Sequence, residues 1–287
     1  MNENNLSSLE KETRFKQFIV REYLKYGSVD EVFRHNDYDL PVSYPEVHRI
    51  VKGWGIIKST GPSSILSEAL TFFTLLSQTQ SSMESLYKKL PPSFKTSMST
   101  MHRLLHNIKE GVIRRVGTAL IIAPEDNPYL VLVGEDISTP RIELGKPYGS
   151  TTLPMGYSRQ DEDSRSSVLR ILQREVFTES TIDKTLPEDI IPANPKPISF
   201  VDIVDIRVAV YGLSFPRQIL EKHPLSSYKV QNHKFVSALD LTHKGYNYRA
   251  GIREIGIGYL NYLDGSKTGS FLAPAVACSL VNKALSA

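Results

Sequence analysis

Leu153-Pro154-Met155-Gly156, then Glu162, then Arg174-Glu175-Val176-Phe177-Thr178-Glu179 make up the stretch on which the fold turns. Its second half lies in a predicted helix over 164–180. Short β-rich runs precede it, Ala119 to Ala123 and Tyr129 to Val133, joined by Pro124-Glu125-Asp126-Asn127-Pro128, and Arg141 to Leu144 reads as another short strand. Downstream, Leu186 to Pro197 is rich in proline and acid and reads as a loop. Ile198 to Leu213 reads as a long strand, Lys234 to Leu241 as a further strand and Asn247 to Leu263 as a helix. Strands, helix, strands, helix predict an α/β (α+β) domain with helices packed on a mixed sheet. In the first predicted helix Glu175 and Glu179 are four apart, which places both carboxylates on one face.

The same stretch resembles the Nudix box, the signature of hydrolases that split nucleoside diphosphates linked to another moiety. That pattern runs glycine, five residues, glutamate, seven residues, then Arg-Glu-apolar-x-Glu-Glu-x-Gly-apolar. Gly156 and Glu162 have the family spacing; Arg174 and Glu175 match the Arg-Glu pair, Val176 the apolar position, Glu179 the last glutamate and Ile182 the final apolar residue. The resemblance implies a Nudix-like α/β/α sandwich over 118–287, a ligand loop at Gly156, and catalytic roles for Glu175, Glu179, Arg174 and Glu162. Arg174 would tie the loop glutamate to the helix. Glu175 and Glu179 would hold Mg2+ or Mn2+, oxygen-seeking ions that orient phosphates and acidify the attacking water. The box is altered. Thr178 stands in place of a paired glutamate, Met155 and Thr181 replace glycines, and eleven residues rather than seven separate Glu162 from Arg174. A second alignment keeps the spacing and sets Arg170 at the arginine, with Ile171 and Arg174 at glutamate positions. The gapped version matches more letters from Arg174 to Ile182 and is preferred. Either version loses at least one metal carboxylate.

The first part of the chain repeats itself. Ser28-Val29-Asp30-Glu31-Val32-Phe33-Arg34 reads like Ser82-Met83-Glu84-Ser85-Leu86-Tyr87-Lys88, and Ser43 to Val51 reads like Ser97 to Leu105, both at an offset of 54. In copy one Phe15, Phe18, Ile19 and Tyr23 recur at helical spacing and Gly27 stops the helix. Ser28 with Glu31 and Ser43 with Glu46 read as capping boxes, and Trp54, Ile56 and Ile57 as a small wing or strand. In copy two the helices run about 67–77, from Ser82, and from Ser97 through Asn107, with Val112 to Arg115 as the wing. Three short helices of this kind resemble helix-turn-helix DNA-binding domains. The third helix then offers Tyr44, His48, Arg49 and Lys52 in copy one, and Met98, His102, Arg103 and His106 in copy two, to the major groove. The expected organisation is a tail over 1–12, repeats over 13–61 and 62–117, and the Nudix-like domain from 118.

The 287 residues suit two or three domains, and the net charge of +3 is permissive of nucleic acid rather than decisive. Residues 1–117 hold roughly four more basic than acidic groups, too few for a nonspecific nucleic-acid coat. The single cysteine, Cys278, excludes an internal disulfide framework and a cysteine-rich zinc site. No signal peptide or membrane-length apolar run is present, so a cytoplasmic protein with no membrane partner is expected. The parts, though not their order, are similar to the nicotinamide-metabolism repressors, which use a Nudix-like domain to sense a nucleotide sugar. The leading expectation is a transcription regulator that binds DNA and a nucleotide-type metabolite, with homodimerisation open. The alternative is a Mg- or Mn-dependent Nudix hydrolase whose helical region recruits a partner or substrate.

Overall fold

A computed structural model of the chain describes residues 7–58, 83–88, 97–109, 114–159, 161–244, 247–267 and 275–280. Three helices open it: α1 (Ser8–Tyr26), α2 (Val29–His35) and α3 (Tyr44–Gly53). Helix α1 begins earlier than the expected tail allows, because Ser7 and Glu10 form a reciprocal capping box at 7–10. Gly27 ends it at φ 89°, the left-handed conformation that glycine adopts without steric penalty. The Ser28 side chain accepts from the Glu31 N–H. Ser43 makes no side-chain cap; Glu46 pairs with Arg49 instead, so the expected capping box is absent there. Ile19, Val20, Tyr23, Leu24, Val32, Phe33, Val47, Ile50 and Val51 close one core between the three helices.

Two further helical stretches are α4 (Met83–Lys88) and α5 (Met98–Lys109), and α5 begins 54 residues after its counterpart, Met98 after Tyr44. The rest of the second copy, including the helix expected over 67–77 and the wing residues Val112 and Ile113, lies outside the described residues.

A mixed α/β domain follows. Strands β1 (Arg115–Pro124), β4 (Met155–Ser158), β5 (Ser199–Ile203), β6 (Ile206–Phe215) and β8 (Ala275–Leu280) form a sheet in the order β4-β1-β6-β5-β8. The β1–β6 and β5–β8 pairs are parallel and the other two antiparallel. Strands β2 (Leu130–Asp136), β3 (Ser150–Thr152) and β7 (Val230–Ser237) make a second, antiparallel sheet in the order β3-β2-β7. Strand β1 is buried on both faces. Ala119 and Ile121 enter a core shared with α9 (Ile252–Lys267), whereas Leu120 and Ile122 enter one shared with α6 (Ser164–Ile171). A short helix α8 (Arg217–Lys222) follows β6.

Three expected elements differ. Arg141 to Leu144 is a tight helical turn closed by Gly145 at φ 60°, not a strand. The long strand over 198–213 folds into the β5–β6 hairpin, with Val204 at φ 57° in its turn. The closing segment supplies β8 to this chain's own sheet. Among the described residues no helix is long and apolar enough to cross a membrane.

The expected wings also differ. Trp54 to Ile57 forms the seam with the α/β domain. The Trp54 indole N–H donates to the carbonyls of Thr181 and Ile182, both at 3.2 Å, and Ile56 is buried beside Ile182. Gln173 clamps the same segment, accepting from Ile57 N–H at 3.0 Å and donating to Gly55 O at 2.9 Å. Arg115 starts β1 and makes a buried two-pronged pair with Asp205, both contacts 2.6 Å. Arg114 pairs with Asp202 at 2.6 Å.

Candidate functional site

The helix expected over 164–180 is interrupted. Helix α6 gives way to a π-helical turn at Leu172–Val176, Phe177 leaves helical geometry at φ −125°, ψ 48°, and α7 (Thr178–Ile182) resumes. The break carries the consequence. Four residues of regular helix would place Glu175 and Glu179 on one face; the wider π turn and the non-helical step at Phe177 break that regularity. Glu179 faces the helical unit, where it accepts from Arg21 at 3.3 Å and from the Tyr228 hydroxyl at 3.0 Å. Glu175 is buried, 6% exposed, and lines the cleft between the helical unit and the α/β domain. Burial raises its pKa above the usual carboxylate value, against the attraction of Lys229, Arg249 and Arg174.

The loop after β4 closes on the helix through Arg170, not Arg174. Arg170 Nε donates to both carboxylate oxygens of Glu162, at 2.9 and 3.2 Å, while its Nη2 donates to Glu162 at 3.2 Å and to Ser158 Oγ at 2.9 Å. Ser167 adds a further donor at 2.9 Å. Both charged side chains are almost fully buried and fully satisfied. Gly156 lies beneath this clasp; a Cβ there would meet Ile171 Cδ1 at 3.3 Å.

Arg174 instead lies across the seam. Its guanidinium carbon sits 5.4 Å from the Tyr23 ring centre, and its Nη1 lies 3.6 Å from where a Cβ on Gly27 would stand. The residue is 4% exposed, and neither Nε nor Nη2 has a hydrogen-bond partner. Burial lowers its pKa from the ordinary arginine value.

Between the helical unit and the α/β domain opens a cavity of about 720 Å³. One wall comes from the end of α1 and from α2: Lys25, Tyr26, Ser28, Glu31, Arg34 and His35. The other comes from five separate segments of the α/β domain and includes Asp136, Arg141, Lys146, Arg170, Arg174, Glu175, Lys229 and Arg249. Asp136 takes Arg249 at 3.2 Å and Lys146 at 3.6 Å. Burial lowers the pKa of Lys146 and Arg249, and that of Lys229 to about 8; Glu175 opposes the Lys229 shift and Arg174 adds to it. Six cationic side chains, Arg170 already paired with Glu162, therefore line this wall beside two carboxylates, in a space of the size that small-molecule ligands occupy. Lys146, Lys229 and Arg249 were not legible as a site in the sequence, since no local spacing links them.

These residues do not fit the divalent ion that the resemblance implies. Glu162 is committed to Arg170, Glu179 to Arg21 and Tyr228, and Glu175 stands among cations. Among the described residues no group of three or more His, Cys, Asp or Glu side chains comes together to hold a metal. His223 is buried at 5% exposure against Phe177, and His233 Nε2 donates to the Glu175 carbonyl, 2.9 Å away.

The expected groove-facing residues are on the outside. On α3 Arg49 is 74% exposed, His48 and Lys52 are exposed, and Lys58 reaches His48 Nδ1 at 2.9 Å. Tyr44 stacks on Phe33 at 4.0 Å, which fixes one of its ring faces. On α5 Met98, His102, Arg103 and His106 are exposed.

No protein-family model matches the chain, and no curated protein matches it significantly. Solved structures similar to it include a MutT protein from Methanosarcina mazei (14% identity, 53% of this chain and 95% of that one, TM-score 0.38). Another is the NUDIX domain of Shewanella oneidensis NrtR complexed with ADP ribose (11%, 64% and 99%, TM-score 0.36). A third is an ADP-ribose pyrophosphatase from Streptococcus suis (11%, 57% and 99%, TM-score 0.35). At these scores and identities the likenesses assign no residue and no activity to this chain.

Proposed function

We propose that the chain is a DNA-binding regulator whose Nudix-like domain binds a nucleotide-type, phosphorylated metabolite. The observation that carries this reading is the basic cleft, because its two walls belong to the helical unit and to the α/β domain. A ligand held there touches both parts and has a physical route to bias how the helices are presented. The exposed faces of α3 and α5 support the DNA half of the reading.

The box is best read in its ungapped register. Gly156, Glu162 and Arg170 keep the family spacing, and Ile171 and Arg174 stand at two glutamate positions. An apolar side chain and a cation in those places favour ligand binding over metal-dependent hydrolysis. The hydrolase alternative needs Glu175 and Glu179 on one ion, and their opposite environments speak against it.

Fluorescence anisotropy against a randomised duplex library tests the DNA half. The expected result is sequence-selective binding at moderate salt, weakened in Arg49→Ala and Arg103→Ala by about 1–3 kcal/mol for each good base contact. Absence of selective binding would rule the regulator out. Metal-dependent turnover of a nucleoside diphosphate derivative, abolished by Glu175→Gln, would establish the hydrolase instead.

A further inference from the structure

We propose that the cleft takes the diphosphate of its ligand by direct contact with the chain's own cations, with Arg174 at the centre and no divalent metal in between. The proposal rests on the ligand-binding reading above and specifies its chemistry.

Three observations converge. First, Arg174 is buried, lines the cleft and leaves Nε and Nη2 unpaired. Buried guanidinium N–H groups without an acceptor are disfavoured, and a phosphate oxygen is the acceptor a planar fork suits best. Second, the acids that would ordinarily quench such a charge are spent elsewhere. Asp136 is shared between Arg249 and Lys146, and Glu162 is closed on Arg170. Glu175 alone cannot balance Arg174 and Lys229, so the floor of the cleft keeps an excess of positive charge. Third, the same excess opposes a dication. Any Mg2+ placed beside Glu175 would face Arg174, Lys229 and Arg249 as well as Asp136, whose charge Arg249 and Lys146 already take up, whereas a diphosphate of two to three negative charges neutralises the cations.

The position of Arg174 adds a consequence for the helical unit. Its guanidinium already packs on Tyr23 and against Gly27 at the end of α1. A phosphate held in the cleft beside Arg174 would lie against both the α/β domain and the end of α1, with a small shift of the side chain bringing its unpaired N–H groups to the phosphate oxygens.

The test is calorimetric titration of the full chain with inorganic pyrophosphate, and separately with ADP-ribose, in EDTA and again in excess magnesium. The expected result is binding of both in EDTA, no tightening by magnesium, and a loss of about tenfold or more in Arg174→Gln and in Lys229→Met. Circular dichroism confirms that each variant is folded, and the wild-type metal comparison stands even if Arg174→Gln is not. Binding that requires magnesium would overturn this proposal while leaving the ligand-binding reading intact. Equal affinity in wild type and folded variants would overturn it too. No binding of either probe under any condition would overturn both.

Discussion

Glu162 and Glu175 are both buried carboxylates on the same loop-and-helix unit, and they have opposite surroundings. Glu162 accepts from Arg170 and Ser167 in a closed cluster that also includes Ser158, all supplied by one short stretch of chain. Glu175 interacts mainly with cations from distant segments, among them an arginine that leaves two of its nitrogens unpaired. The first arrangement is finished by the chain itself and fixes a loop. The second is left incomplete by the chain and is where a ligand has something to add. Burial of charge therefore carries two meanings in this molecule, and hydrogen-bond completeness tells them apart.

The comparison breaks most readily at the finished end. Arg170→Ala leaves Glu162 buried and unpaired, and should destabilise the fold by about 3–5 kcal/mol in denaturant unfolding. A change below about 1 kcal/mol, the range of exposed ion pairs, would mean the clasp is not structural.

Glu175 sharpens the other end. Removing its charge with Glu175→Gln takes a negative group away from the cationic floor, so pyrophosphate binding in EDTA should tighten by roughly three- to tenfold. Weakened binding would show that Glu175 helps to hold the ligand, directly or through an ion.

The smallest effect is a pH dependence. Lys229 has a folded pKa of about 8, below the ordinary 10.5, and is faced by Glu175, Asp136, Arg174 and Lys146. Between those values the unfolded chain holds a proton that the folded chain has released. The lysine therefore contributes a penalty below pH 8 that is relieved as pH rises towards 10.5, and stability without ligand should increase across that window. A bound anion restores the proton, so pyrophosphate affinity should fall above pH 8, by roughly threefold per pH unit near the midpoint. A flat profile in wild type, or an unchanged one in Lys229→Met, would remove Lys229 from the site.

Much of the fold was legible because its signals are local. Gly27 stops α1 through its left-handed backbone, and α5 starts at Met98, 54 residues after α3 starts at Tyr44. The site was legible only in part. Gly156 and Glu162 were found by spacing, but the partner arginine was chosen by matching letters around Arg174, whereas the geometry follows spacing and selects Arg170. The π-helical turn at Leu172–Val176 has no sequence mark comparable to a glycine or proline. Lys146, Lys229 and Arg249 come from three segments joined only by the tertiary fold, and isolated basic residues look the same on any surface. Trp54 read as part of a wing because its indole partners, the carbonyls of Thr181 and Ile182, lie more than a hundred residues away.

The most direct measurement is the affinity of the full chain for its selected DNA duplex, with and without saturating ADP-ribose in EDTA. A cleft walled by both the helical unit and the α/β domain predicts a change in DNA affinity of about fivefold or more, the lower end of ordinary coupling between sites, with a reciprocal change in ADP-ribose affinity when DNA is bound. Identical DNA affinity with the cleft demonstrably filled would contradict it.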